Sequence, residues 1–188
     1  MILMILAEER ARNDARIEEL ILLMADGDTS AMGDLYLLTK TSVYAYALSK
    51  TADKELAEDV THDTFVRVFK YAKQYKPMGK PMAWIMSIEL NVIRYNYNKT
   101  KRVVLVEDVE REPDERDPIE QMISSDFLRG LLGNLSEEER EIVVLHAVSG
   151  LKHREIARLL EIPLSTVLSK YARAIKKLQK ILAEEDAR

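Results

Sequence analysis

The sequence predicts an all-α protein of two small helical domains joined by a flexible acidic linker. Three observations predict it. Apolar residues recur at helical spacing through most of 17–100 and again from about 126 onward. No stretch keeps the strict alternation of a half-buried strand. Between the helical stretches, 103–125 loses periodicity and contains Pro113 and Pro118. Residues 103–126 hold nine acidic and two basic side chains, a net of −7. Like charges packed along one segment repel and extend it. The expected division is 1–102, 103–125 and 126–188.

Each element has its own signals. The opening MILMILAEERAR has only a short apolar run before charge begins, too short for a membrane span or a signal-peptide core, and leads into a helix. Ile17, Leu20, Ile21 and Met24 fall at helical spacing, and Asp26, Gly27 and Asp28 stop that helix. Ser30 is the expected cap of a second helix running to about Leu48. A third is expected from about Asp53 to Tyr75, broken by KPMGKP at 76–81, and a fourth from about Met82 to Lys99. After the linker, Ser136 with Glu139 three residues on is a capping-box start. That helix ends near Gly150. A short helix follows from about Lys152 to Leu160, Glu161, Ile162 and Pro163 make a turn, and a last helix reaches about Ala183.

Composition excludes several classes of function. The chain of 188 residues is 47% hydrophobic and 32% charged, as in ordinary soluble domains. It has no cysteine, which removes disulfides, thiolate metal sites and cysteine catalysis. His62, His146 and His153 are scattered without metal-ligand spacing, and no glycine-rich phosphate loop or GxSxG elbow occurs. His62 beside Asp59 and Asp63 reads as a solvated helix face. No metal, cofactor or enzymatic activity is expected. The net charge of −4 hides a strong asymmetry. Residues 91–102 carry four basic side chains and no acid, and 150–182 carry eight basic against two acidic, a net of +6. Two basic blocks flank the acidic connector, and a basic face is what displaces counterions from phosphates.

The segment 150–182 reads as a helix-turn-helix unit. Ile156, Ala157, Leu159 and Leu160 can pack inward from its first helix, and Pro163 suits the start of the second. In the last helix Val167, Tyr171, Ala174, Ile175 and Leu178 share one side. Thr166, Ser169, Lys170, Arg173, Lys177 and Lys180 share the other. Hydroxyls and amines at the leading end can reach base edges, while later cations hold phosphates. The candidate duplex contacts are Arg154, Ser165, Thr166, Ser169, Lys170, Arg173, Lys176 and Lys177.

LSEEEREIVVLHAVSGLKHREIARLLEIPLSTVLSKYARAIKKL resembles region 4 of the extracytoplasmic-function (ECF) sigma factors of the sigma-70 family. The stretch from EIARLLEIP onward carries most of that likeness. IEELILLMADGDTSAMGDLY resembles the family's opening helices, and AEDVTHDTFVRVFKYAKQYKP with PMAWIMSIELNVIRYNYNKTKR resembles its region 2. Both halves occur in order and together span nearly the whole chain. The resemblance implies a sigma region 2-like bundle, a region 4-like helix-turn-helix, and a factor that binds core RNA polymerase and directs initiation at promoter DNA. The last helix would then read the −35 element. An anti-sigma factor is an implied partner; no small-molecule substrate or membrane insertion is expected, and the setting would be cytoplasmic. Leu168, Lys170 and Tyr171 depart from the family's commoner residues.

The N-terminal half has two candidate surfaces. In the third helix Ala57, Val60, Thr61, Thr64, Phe65, Val68 and Ala72 share a core face. Asp59, His62, Asp63 and Lys70 lie opposite with Val66 among them. An apolar residue amid carboxylates suits a protein contact, and the resemblance makes Asp59, His62, Asp63 and Val66 the polymerase surface. In the fourth helix Trp84, Ser87, Asn91, Arg94, Tyr95 and Asn98 occupy one arc, followed by Lys99. Rings stack on bases and cations follow the backbone of single strands. The resemblance makes this arc the site for melted −10 DNA, with the loop 75–81 forming part of a pocket. The alternatives are a conventional helix-turn-helix regulator that binds duplex DNA alone, or a sigma-like protein that binds partners without directing initiation.

Overall fold

Turn and cap residues set the helix boundaries. The computed structural model describes residues 2–100 and 126–186, with side chains from 8–96 and 130–184. The linker expected at 103–125 lies outside the described residues. The elements are α1 (Ile2–Ala25), α2 (Ala31–Thr51), α3 (Lys54–Tyr71) with a 3₁₀ turn at Ala72–Gln74, and α4 (Pro81–Thr100). Then come α5 (Asp126–Gly133), α6 (Glu137–Ala147), α7 (His153–Leu159) and α8 (Leu164–Asp186). Every regular element among the described residues is helical.

Most starts have the expected chemistry. Asp53 caps α3 by accepting from the Leu56 amide at 3.1 Å. Pro81 opens α4, where its missing N–H is no loss. The Ser136–Glu139 capping box forms in full. Ser30 is different. Its backbone is already helical, so its side chain cannot reach back to the first turn. Instead the Ser30 amide and hydroxyl both donate to Asp28 Oδ1, at 2.9 and 2.6 Å. Pro163 lies just before α8 and its carbonyl accepts from Thr166 and Val167. The turn between α7 and α8 passes through Glu161 at φ 58°, a left-handed position without glycine.

Two helical units are present, and they pack on each other. In the first, Ile17, Leu20, Ile21 and Met24 of α1 meet Leu35 and Val43 of α2, Phe65 and Val68 of α3, and Ile85 and Met86 of α4. The core face expected on α3 is buried at all seven positions. Thr61 and Thr64 lie within it because their hydroxyls donate to the Ala57 and Val60 carbonyls, each at 2.7 Å. In the second unit Ile142 and Leu145 of α6, Leu151, Ile156 of α7 and Val167 of α8 form the interior. The two interiors are continuous: α6 lies on α2, and α7 lies on α4. The tether read from the sequence leaves the units free of each other, whereas the described residues hold them in contact. Within that contact Tyr46 of α2 donates its hydroxyl to Glu141 Oε1 of α6 at 2.7 Å.

Candidate nucleic-acid interface

Helix α8 divides as its periodicity requires. Val167 and Ala174 are fully buried, and Tyr171, Ile175 and Leu178 are half-buried. Ser165, Ser169, Arg173, Lys176 and Lys177 are exposed, with Thr166 and Lys170 half-buried beside them, and Arg154 is exposed on α7. All eight expected duplex contacts therefore lie on this one unit. Their charges are not equivalent. Lys170 is paired with Glu138, and Lys177 Nζ donates to Glu139 Oε2 at 2.7 Å. That bond, with the Ser136 amide, holds the Glu139 carboxyl below its ordinary pKa. Arg154, Arg173 and Lys176 form no ion pair among the described residues.

The unit's interior holds an imidazole pair that sequence reading passed over. His146 and His153 stack with centroids 4.2 Å apart, and Tyr171 meets both edge-on at 4.9 and 4.7 Å. His146 Nδ1 donates to the Leu151 carbonyl at 2.8 Å. His153 Nε2 is buried without a partner. Burial, and secondarily His146, lower the His153 pKa from its usual 6.5. The folded form thus resists protonation while the unfolded chain accepts it. Stability from this group is complete above about pH 6.5 and falls as pH drops below it. His153→Gln should flatten that part of the slope. Urea melts of both proteins at pH 7.5 and 5.5 check this; parallel losses in the two proteins would contradict it.

The arc on α4 splits into two ends. Trp84 and Ser87 are half-buried, and Trp84 meets Tyr75 edge-on at 4.9 Å. They line a cavity of about 510 Å³ with Lys76, Met78 and Lys80 of the preceding loop. Its opposite wall is Glu155, Arg158 and Leu159 of α7. Asn91, Arg94 and Tyr95 are exposed, and the Arg67 guanidinium lies 5.5 Å from the Tyr95 ring centre. The side chains of Asn98 and Lys99 lie outside the described residues.

Glu18 anchors the loop, a role with no signal in the sequence. Its Oε1 accepts from the Tyr75 hydroxyl at 2.6 Å and from the Gly79 amide at 3.1 Å. Burial and then Glu18 raise the Tyr75 pKa, keeping the phenol a donor. Gly79 takes φ +64°, which a side chain would strain.

On α3 the outward face is as expected: Asp59, His62 and Asp63 are exposed and Val66 is 51% exposed. Phe69, 45% exposed, extends this apolar strip and was not singled out by the sequence pattern. Among the described residues no group of three or more His, Asp or Glu side chains is placed to hold a metal ion, and no helix is long and apolar enough to cross a membrane.

Comparison with known proteins agrees with this arrangement. The family model "Sigma-70 region 2" matches residues 35–103, and "Sigma-70, region 4" matches 128–178. The ECF RNA polymerase sigma factor SigE of Mycolicibacterium smegmatis is 32% identical over 174 residues, covering 87% of this chain and 67% of that protein. The ECF RNA polymerase sigma factor BldN of Streptomyces coelicolor is 26% identical, covering 92% and 68%. Among solved structures, CnrH in complex with the cytosolic domain of CnrY aligns with a TM-score of 0.63 at 24% identity, covering 90% of this chain and 98% of that one. The sigma factor RpoE of Bartonella quintana, in complex with the anti-sigma factor NepR, aligns with a TM-score of 0.60 at 24% identity, covering 80% and 96%. These two structures establish the shared fold. With both regions matched in order on the two helical units, the chain belongs to the ECF sigma factors of the sigma-70 family.

Proposed function

We propose that this sigma factor binds core RNA polymerase and directs promoter-specific initiation, reading −35 duplex with α8 and melted −10 DNA with α4 and the loop before it. The observation that carries the reading is the division of α8. Its buried side fixes the helix to the unit, while Ser165, Ser169, Arg173 and Lys176 stand exposed along the other. Hydroxyls at the leading end and cations behind them match base reading followed by phosphate clamping. The 103–125 segment acts as the tether that lets both units engage one polymerase, so separate weak contacts add through effective concentration.

The outer face of α3, with Asp59, His62, Asp63, Val66 and Phe69, is the polymerase-binding surface in this reading. Asp59→Lys should weaken core-enzyme binding about tenfold or more, because it reverses a charge on an otherwise complementary surface. A native gel shift of the core enzyme measures this, and unchanged affinity would move the surface elsewhere. An anti-sigma factor is the second partner, supported by the complex in which RpoE was solved with the anti-sigma factor NepR. The setting is the cytoplasm, where polymerase acts, and the chain does no catalysis of its own. In vitro transcription of a genomic library by core polymerase, with and without this protein, tests the whole reading. Discrete new start sites are expected; an unchanged transcript set would refute it.

A further inference from the structure

We propose that Glu138 sets the selectivity of α8: it holds Lys170 away from the phosphates of arbitrary DNA and yields it to a guanine edge in the cognate site. The proposal rests on the reading of α8 as the duplex-binding helix.

Helix α6 opens with three consecutive acids, Glu137, Glu138 and Glu139. Acids in a first turn suit the positive end of the helix dipole. Their partners differ. Glu137 accepts from Lys50 of α2 at 2.8 Å. Glu139 closes the capping box with Ser136 and takes Lys177 at 2.7 Å, with its own side chain 6% exposed. Both belong to the frame of the fold. Glu138 is 69% exposed, and among the described residues its partner is Lys170 of α8. Lys170 is drawn in, with 19% of its side chain exposed. A pair with one partner this exposed adds little to stability. Its placement therefore matters more than its strength.

That placement is the flank of the candidate reading face. By helical spacing Ser165, Ser169, Arg173 and Lys176 face outward, and Lys170 lies at the edge of their arc, toward α6. An amine there can clamp a phosphate or read a base. Binding to arbitrary sequence is made of phosphate contacts. While Glu138 holds Lys170, that charge is neutralised. A phosphate that takes the lysine is left beside a free carboxylate, and like charges oppose the exchange. A guanine offers the amine O6 and N7, neutral acceptors that do not repel Glu138. The exchange is then favoured at one kind of site and opposed elsewhere, which is discrimination by rejecting the wrong partner. Arg173 and Lys176, which form no ion pair among the described residues, supply the phosphate grip common to all sequences.

Glu138→Gln keeps the size of the side chain and removes its charge. Glu138→Ala is a second variant should the first disturb the start of α6. In full-length protein with unchanged circular dichroism, the readout is anisotropy of a fluorescein-labelled random-sequence duplex across a salt series. Freeing Lys170 adds one cation to the non-specific footprint. Affinity should rise about three- to tenfold at low salt, and the log–log slope should steepen by about one. On a cognate duplex, taken from the start sites found by transcription, affinity and slope should change little. Lys170→Gln alone should weaken the cognate duplex and leave the random one as it was. Glu138→Gln with Lys170→Gln should return the random-duplex slope to the wild-type value. An unchanged random-duplex slope in both folded variants overturns the proposal. An equal gain on both duplexes overturns the selectivity, and a cognate duplex indifferent to Lys170→Gln removes the guanine contact. A gain that survives Lys170→Gln shows the acid acting by its own repulsion and overturns the hold on the lysine. Failure of the duplex reading looks different: Arg173→Ala with Lys176→Ala then leaves random-duplex binding as it was.

Discussion

Arg173→Ala combined with Lys176→Ala is expected to weaken binding to a cognate −35 duplex by about 10- to 100-fold at low salt and to flatten the log–log salt dependence by about two. Both side chains are exposed on α8 and neither forms an ion pair among the described residues. Each is therefore free to neutralise a phosphate and release a counterion. Lys170 and Lys177 are less available, because each must first leave a carboxylate, Glu138 or Glu139. Lys177→Ala should accordingly cost less in DNA affinity than Arg173→Ala. It should cost more in stability, since Glu139, 6% exposed, loses its cation. Fluorescence anisotropy on the duplex identified by transcription, repeated across a salt series, separates these outcomes. A double variant with an unchanged salt slope would remove α8 from the phosphate backbone.

What could be read from the sequence was local. Helical periodicity placed the α3 core at seven positions, and all seven are buried, because a face repeating every turn needs nothing from distant residues. The capping box at Ser136 and the two faces of α8 are equally local. Ser30 stands at the expected N-cap position of α2, but Asp28, two residues earlier, takes both of its donors, and the side chain makes no capping bond.

The interface between the units was not legible for a related reason. Tyr46 and Glu141 are 95 residues apart, and each looks ordinary within its own helix. Only the tertiary packing of α6 on α2 turns them into a buried pair, with burial and then Glu141 raising the tyrosine's pKa and keeping its proton in place. Glu18 is the same case for the 75–81 loop: an acid beside Ile17 in α1 gives no hint that it will hold Tyr75 and Gly79. Charge patterning found the basic face of α8, but it missed that Lys170 and Lys177 are spoken for. Sequence spacing counts charges and does not pair them.

Glu89→Met is expected to raise unfolding free energy at pH 8 by about 1–3 kcal/mol, the usual cost of an unsatisfied buried polar group. Glu89 lies on α4 with no exposed surface, and neither carboxyl oxygen has a hydrogen-bond partner. Burial raises its pKa well above the usual 4.5, so the folded protein keeps this proton where the unfolded chain has lost it. In that window the native state binds more protons than the unfolded state, and stability falls as pH rises above about 4.5. This slope runs opposite to the one from His153. The wild-type profile mixes the two, and only differences between variants isolate them. Glu89→Gln, which keeps the volume and loses the ionisation, should flatten the slope with a smaller gain, because its amide is still buried. Guanidinium melts of the three proteins at pH 5 and pH 8 measure both effects. If Glu89→Gln leaves the pH dependence as it was, the carboxyl is ionised in the fold and has found a partner on α2 or α6. Glu89→Met would then destabilise, because that partner would lose its charge mate.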